Sequence, residues 1–464
     1  MENKPKEPPY IAVKFANIVF TLGIIYFVLI VGYVIYKIFN LAEPRYLTFY
    51  IISILSGCVF LALFSLTLKK LNNNLKVNLA MLFFTLTFTV YGFSIYLEYR
   101  SSEREVIAKK IGVSYDKRTT IEVLEDLRNS GVDASPNILP FFFIKSNGLT
   151  AKEGRIYPLG TISNSKTILE NEAGYYPIIE TDEHGFNNPK GLYKKNNVDI
   201  VLTGDSWTEG YSVPSNESIG GVLRQSDFKA ISVGKAGNSS LIELAALKEY
   251  AEPLKPKIVL WLYYSNDLVD LNNEMQSSLL KKYLNEDNYS QNLISRQKEI
   301  NAVLTNYMKH KWKKEKELEK KNNRQGIINI LKLSKIREMI NLVSTPILQP
   351  PSPPKLIFRS ILQKSNQMVT GWGGKMYFVY LTDFIRYSTG NESLNRNFVM
   401  QTVTELDIPI IDIHKEVFDL HPDPLSLFAF RVNSHYSTEG YRKVVEAIKK
   451  ILEQDNYIPL KFQK

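Results

Sequence analysis

The chain has 464 residues, 44% of them hydrophobic, a formal net charge of +10 and a single cysteine, Cys58. That length exceeds one ordinary domain, and one cysteine excludes an intramolecular disulfide and any CxxC metal site. The positive balance suits an anionic lipid surface, an anionic polymer or nucleic acid, and by itself selects none of them.

Hydropathy divides the chain near Arg100. Residues 15–36 carry no charged side chain. They are long enough to cross ~30 Å of hydrocarbon at ~1.5 Å per residue, and too long for a signal-peptide core. Residues 46–68 and 77–96 repeat the pattern, with tyrosines near their ends where an amphipathic ring suits the headgroup layer. Three transmembrane spans are therefore predicted, and Cys58, inside the second, is expected as a small core residue. Lys4, Lys6 and Lys14 precede the first span and Lys69, Lys70 and Lys76 separate the last two, against Lys37 and Arg45 in the first loop. The positive-inside rule then places the tail and second loop in the cytoplasm and everything after Tyr99 outside, with the lipid bilayer as a partner.

Beyond the anchor (1–100), residues 101–195 read as a connector followed by a loop-rich segment. Thr120 to Leu127 has amphipathic helical spacing, while 138–195 is rich in Gly, Asn, Pro and Tyr without a sustained period. A regular alternation follows. Residues 198–203, 230–234, 258–264, 376–381 and 408–412 read as strands, and 218–225, 241–250 and 393–406 as helices. Near-continuous apolar strands separated by helices predict an α/β fold in which a parallel sheet is covered on both faces. That domain is expected over 196–275 and 355–464. Between them, 276–354 is helical in pattern, basic around Lys309 to Lys316 and Pro-rich at its end, and is expected to be an insertion or lid with a solvated helical face, the alternative being a polymer-binding or lipid-touching surface.

In such sheets ligands sit beyond the carboxyl ends of the strands. The first strand ends in Gly204-Asp205-Ser206-Trp207-Thr208-Glu209-Gly210, a tight strand-to-helix turn that exposes a serine hydroxyl at the sheet edge. The second is followed by Gly234-Lys235-Ala236-Gly237-Asn238, and the third by Ser265-Asn266-Asp267. A serine hydroxyl needs a neighbour of near-neutral pKa to take its proton, which calls for histidine. Among His184, His310, His414, His421 and His435, the last stands in Asn433-Ser434-His435-Tyr436-Ser437, directly before an amphipathic C-terminal helix.

These four motifs, in this order and at these strand ends, resemble the SGNH (GDSL-type) hydrolase family over roughly 182–452. The resemblance implies an SGNH-like, flavodoxin-like three-layer domain with Ser206 as nucleophile and His435 as base. It also implies an oxyanion hole from the N–H groups of Ser206 and Gly237 and the amide of Asn266. The family usually carries an aspartate two or three residues before the histidine, where this chain has Val432 and Asn433. The ring would then be held by a backbone carbonyl or by Asn433, giving a Ser–His dyad, or oriented by a carboxylate from elsewhere such as Asp423 or Asp412. Asp182 to Pro189 is similar to a segment of membrane-attached members from bacterial envelope and exopolysaccharide systems.

The implied activity is a serine esterase or O-acyltransferase on ester groups, O-acetyl above all, of a cell-envelope polysaccharide, at the outer face of a bacterial cytoplasmic membrane. The alternative is a catalytically silent SGNH-like glycan-binding or scaffold protein partnering a membrane acyltransferase. No metal-ligand spacing and no Walker or dinucleotide glycine pattern is present, so no metal and no cofactor is expected. Nucleic acid is not expected as a partner, because no readout module accompanies the lysine-rich segment.

Overall fold

The structure, a computed structural model, describes residues 7–40, 47–100, 102–195, 197–319, 322–339, 353–393 and 395–457. Lys4, Lys6, Arg45, the predicted start of the second span at 46 and most of the Pro-rich 346–354 lie outside the described residues. The chain divides into two compact units, Met1–Arg100 with Glu315–Pro351 and Ser101–Lys314 with Ser352–Lys464.

The first unit opens with α1 (Tyr10–Asn40), α2 (Leu47–Lys70) and α3 (Asn73–Tyr99), each long and apolar enough to cross a membrane. Large apolar side chains such as Leu29, Leu55 and Phe88 point outward. A water-soluble surface does not carry such a band. Between α1 and α2, Phe20 and Phe64 pack edge to face with centroids 5.3 Å apart. Asn72 caps α3 by accepting the Leu75 N–H at 2.8 Å, and the Lys76 ammonium donates to the Leu68 carbonyl at 3.1 Å. The turn between the two apolar helices thereby satisfies backbone groups that their ends leave open.

The second unit begins with α4 (Glu103–Ile111) and α5 (Thr120–Asn129), the latter opened by a capping box between Thr119 and Glu122. Five short strands follow. β1 (Ala134–Pro136) pairs in parallel with β4 (Lys166–Ile168), which pairs antiparallel with β5 (Ile178–Glu180). β2 (Leu149–Ala151) and β3 (Gly154–Ile156) form a hairpin. This region is no mere connector, since Phe143, Ile156, Tyr157, Leu159 and Phe186 are buried in the main core.

The main sheet consists of β6 (Ile200–Thr203), β7 (Ala230–Ser232), β8 (Ile258–Tyr263), β9 (Lys375–Tyr380) and β10 (Ile410–Asp412). All pairings are parallel, in the order β10-β9-β8-β6-β7. Side chains alternate between faces along each strand, and here both faces are dry. Val259, Trp261 and Tyr263 join one apolar cluster, while Ile258, Leu260 and Leu262 join the other.

The helices supply the two covering layers. After β6 come α6 (Ser206–Glu209) and α7 (Ile219–Gln225), and after β7 comes α8 (Ser240–Ala246), which continues as a wider turn over Leu247–Ala251. After β8 follow α9 (Asp267–Glu274), α10 (Ser278–Asn285) and α11 (Gln297–Glu319). Next, α12 (Asn322–Leu331) and α13 (Ser334–Met339) belong to the first unit. Then α14 (Lys355–Gly371) leads into β9, α15 (Phe384–Thr389) and α16 (Arg396–Glu405) into β10, and α17 (Ile413–Glu416) and α18 (Thr438–Gln454) close the domain. Leu241 of α8, Phe358 of α14 and Val403 of α16 cover one face of the sheet, and Leu223 of α7 with Val444 and Ile448 of α18 cover the other.

The expected solvated insertion at 276–354 needs correcting. Leu280, Tyr283, Leu293, Ile300 and Leu304 are buried in the main core, so α10 and the first half of α11 are part of the covering layer. Within the basic run, the Lys311 ammonium lies 3.9 Å from the centre of the Phe142 ring and the Arg128 guanidinium 5.3 Å from that of Trp312. Both are cations placed over aromatic rings, which attract them electrostatically.

Beneath the carboxyl edge of the sheet lies a group of buried carboxyls. Glu274 accepts the backbone N–H groups of Ser239, Leu241 and Ile242 at 2.6, 2.9 and 3.2 Å, closing the start of α8. Burial, working against those bonds, holds its pKa up at about 8. Glu243 and Asp267 are raised well above the carboxylate range by burial first and by the nearby Asp205 second. A carboxyl with a raised native pKa binds its proton more tightly folded than unfolded, so its stabilisation is full in acid and is lost as pH rises through the native value. The thermal midpoint of the purified chain is accordingly expected to fall between about pH 5 and about pH 9. A midpoint that stays level or climbs across that interval contradicts the protonated state of this group.

Candidate active site

The residues that follow β6, β7 and β8 share one edge of the sheet, because those three strands are neighbours and parallel. Gly204 makes the turn out of β6 with φ of +155°, and a Cβ there would press on the Leu262 carbonyl. Asp205 then caps α6, its carboxylate accepting the Trp207 N–H at 3.0 Å. Burial pushes that carboxyl up to about 7 against this bond. Ser206 opens the helix, so its own N–H is one of those that no helical carbonyl accepts.

The Ser206 Oγ lies 2.7 Å from Nε2 of His435. His435 is fixed by its neighbours in the chain. The Ala429 N–H donates to its carbonyl at 3.0 Å, and buried Tyr436 accepts from the Thr382 N–H and donates to the Thr382 carbonyl, both at 2.8 Å. Trp207 and Tyr211 flank the imidazole with ring centres 4.5 and 5.1 Å away. Only one ring edge is left for Ser206, and the other meets a carboxylate.

That carboxylate belongs to Glu172. Its Oε2 lies 2.6 Å from His435 Nδ1 and accepts the His435 backbone N–H at 2.9 Å and the Ser212 hydroxyl at 2.8 Å. Its Oε1 is 3.3 Å from the Arg104 guanidinium. The side chains of His435 and Glu172 are 16% and 11% exposed, enough burial for these bonds to be poorly screened. Burial alone would raise the Glu172 pKa, but the hydrogen bonds and charge of His435, together with Arg104, hold it at about 2. The turn carrying Glu172 is pinned by Asn171, whose amide accepts the Gly174 N–H at 2.9 Å and donates to the Asp116 carbonyl at 2.8 Å.

None of the three expected orienting residues stands at Nδ1. Asp423 forms a two-bond ion pair with Arg431 at the surface, and Asn433 is exposed with its carbonyl accepting from Arg104 at 3.4 Å. Asp412 is engaged by Arg396 at 2.6 Å. Glu172 lies in the period-free stretch before the sheet, and no local pattern marks it. The remaining histidines are elsewhere: His184 is beside Gln297, His310 is on the Asn306 carbonyl, and His421 accepts the Asp423 N–H. His414 is buried and pushed down to about 3, by burial first and then by Arg396 and Arg386.

Gly237 and Asn266 sit on the loops flanking the serine turn. At Gly237 φ is +73° and a Cβ would collide with the Phe141 ring, so glycine is required there. Its loop is tied to α6 by the buried Lys235–Glu209 ion pair and by Glu209 accepting the Ala236 N–H at 2.8 Å. The Asn137 amide completes this knot, accepting from Lys235 at 2.5 Å and donating to Glu209 at 2.9 Å. Asn266 stands exposed at the start of α9 and gives one amide hydrogen to Asp270 at 2.6 Å.

No family model and no curated protein matches the chain. Among solved structures, the chain is similar to a member of the lipolytic protein G-D-S-L family from Veillonella parvula, at 13% identity over 55% of this chain and 99% of that one, with a TM-score of 0.32. It is similar to a lipase/acylhydrolase from Enterococcus faecalis at 13% identity over 56% of this chain and 96% of that one, with a TM-score of 0.31. An acetyl xylan esterase is likewise similar at 13% identity, covering 55% of this chain and 100% of its own length, with a TM-score of 0.29.

Proposed function

We propose that the chain is a membrane-anchored serine esterase or O-acyltransferase acting on ester groups, O-acetyl in particular, of a cell-envelope polysaccharide. The observation that carries this reading is the unbroken hydrogen-bonded line from Ser206 through His435 to Glu172. Such a line activates a hydroxyl for acyl transfer. Nε2 takes the Ser206 proton as Oγ bonds to the ester carbonyl carbon, giving a tetrahedral oxyanion and an imidazolium paired with ionised Glu172. The oxyanion would be met by the N–H groups of Ser206 and Gly237 and the second amide hydrogen of Asn266. Collapse breaks the ester C–O bond, and the imidazolium returns its proton to the departing alcohol. The acyl group on Ser206 then passes to water or to a sugar hydroxyl, with His435 again taking the attacking proton.

Two observations support the finer parts of this reading. The apolar helices are of spanning length, and the lysines at 14, 69, 70 and 76 favour a cytoplasmic tail and second loop, with the α/β domain on the far side of a bacterial cytoplasmic membrane. The charge of +10 is compatible with an acidic polymer as substrate, as it is with an anionic lipid surface. Labelling with a fluorophosphonate, followed by mapping of the modified peptide, tests the chemistry. The adduct is expected on Ser206. A folded chain that resists the probe would instead favour the silent glycan-binding or scaffold role.

Replacing Asn266 with alanine is expected to lower kcat on p-nitrophenyl acetate by about 10²-fold to 10³-fold with little change in KM, the usual effect of losing one oxyanion donor. An unchanged kcat would remove Asn266 from the oxyanion site.

A further inference from the structure

The ester chemistry makes no use of α12 and α13, yet these helices are placed deliberately. The C-terminal half of α12 meets the C-terminal end of α3. The Asn329 amide donates to Glu98 at 3.1 Å, the Ser94 hydroxyl to the Ile330 carbonyl at 3.4 Å, and the Tyr91 hydroxyl to the Leu331 carbonyl at 3.3 Å. From Glu98 back to Tyr91 is ~10 Å along a helix axis. This stretch of α3 bears Tyr91 and Tyr96 and is followed by Tyr99, and aromatic belts of that kind mark the headgroup layer.

The outward side of α12 fits water poorly. Ile327 and Leu331, four residues apart and so on one face, are 55% and 60% exposed. Met339 of α13 is 57% exposed, and Lys332, Lys335 and Arg337, which precede it in the chain, are exposed as well. Apolar side chains on a helix fastened to the headgroup end of a membrane span have acyl chains within reach. Long basic side chains beside them can extend to lipid phosphates while their stems stay in the apolar boundary.

We infer that α12 and α13 form an interfacial lipid-binding element, lying in the boundary between headgroups and acyl chains with Ile327, Leu331 and Met339 in lipid and Lys332, Lys335 and Arg337 on anionic phosphates. The inference rests on α1 to α3 crossing a bilayer and is independent of the ester chemistry. It means that the chain re-enters the membrane surface within the crossover between β8 and β9.

The test uses the full chain in vesicles of phosphatidylcholine with and without phosphatidylglycerol. In a Cys58→Ser background, Leu331→Cys carries an environment-sensitive fluorophore, with Ile95→Cys on α3 and exposed Leu420→Cys in the α/β domain as controls. A shallow nitroxide-labelled lipid is expected to quench the labels at 331 and 95 several-fold more than that at 420, and aqueous iodide is expected to do the reverse. Quenching at 95 together with iodide access at 331 would overturn the interfacial element while leaving the membrane spans intact. Protection of 331 from both quenchers would also overturn it, in favour of a protein partner or a second copy. Phosphatidylglycerol should strengthen lipid quenching at 331 by about two-fold, and Lys332→Gln with Lys335→Gln and Arg337→Gln should abolish that gain. Insensitivity of the unsubstituted basic face to phosphatidylglycerol overturns the phosphate contacts.

Discussion

Ser206→Ala is expected to lower kcat for ester turnover by about 10⁵-fold to 10⁶-fold while KM moves little, because in the proposed chemistry the hydroxyl makes the bond on which every later step depends. The oxyanion donors and the substrate site would survive the substitution, so a residual rate of about 10³-fold over water is expected rather than none. His435→Ala should cost a similar factor. The double substitution should cost hardly more than either single one, since the serine and the imidazole act as a unit through their 2.7 Å contact. Turnover of p-nitrophenyl acetate by the purified chain measures all three variants, with circular dichroism showing that each is folded. Loss of less than about 10-fold in Ser206→Ala would remove Ser206 from the chemistry, and strictly additive losses would mean that the two residues work in separate steps.

The sheet could be read from the sequence because parallel strands buried on both faces must be apolar nearly throughout. Ile258 to Tyr263 are all buried, and the predicted run at 258–264 overshoots β8 by a single residue. Ser206 and His435 could be singled out because each sits where the chain changes from one element to the next, beside a glycine turn or a helix cap. Glu172 offers no such mark. It reaches a histidine 263 residues away through the packing of a loop-rich region that has no period of its own. Near His435, Asp423 is committed to Arg431 and Asn433 is turned to solvent. The segment 276–354 hides its buried side from the sequence for a related reason. Its helical spacing was visible, but Leu280 and Tyr283 stand among lysines, and only the fold shows that one side of that helix is core.

Glu172→Gln is expected to lower kcat by about 10³-fold to 10⁴-fold with KM nearly unchanged. The amide keeps the size of the side chain but removes the charge that an imidazolium would need beside it. It also allows the imidazole to settle in the tautomer that cannot accept the Ser206 proton. Glu172→Asp should recover part of the rate, because the charge is restored although the carboxylate falls short of the 2.6 Å contact with Nδ1. A merely structural carboxyl would show a drop in stability without this ordering of kcat among Glu, Asp and Gln. Stability supplies an independent reading of the same charge. The Glu172 carboxyl is held at about 2 in the fold, below its ordinary value, so its stabilisation is full above the usual carboxylate range and is lost as pH falls towards 2. The difference in thermal midpoint between the wild type and Glu172→Gln should therefore be largest near neutral pH and narrow steadily in acid. A difference that widens on acidification would mean that Glu172 is not the ionised partner of His435, and the Ser206–His435–Glu172 line would lose its electrostatic anchor.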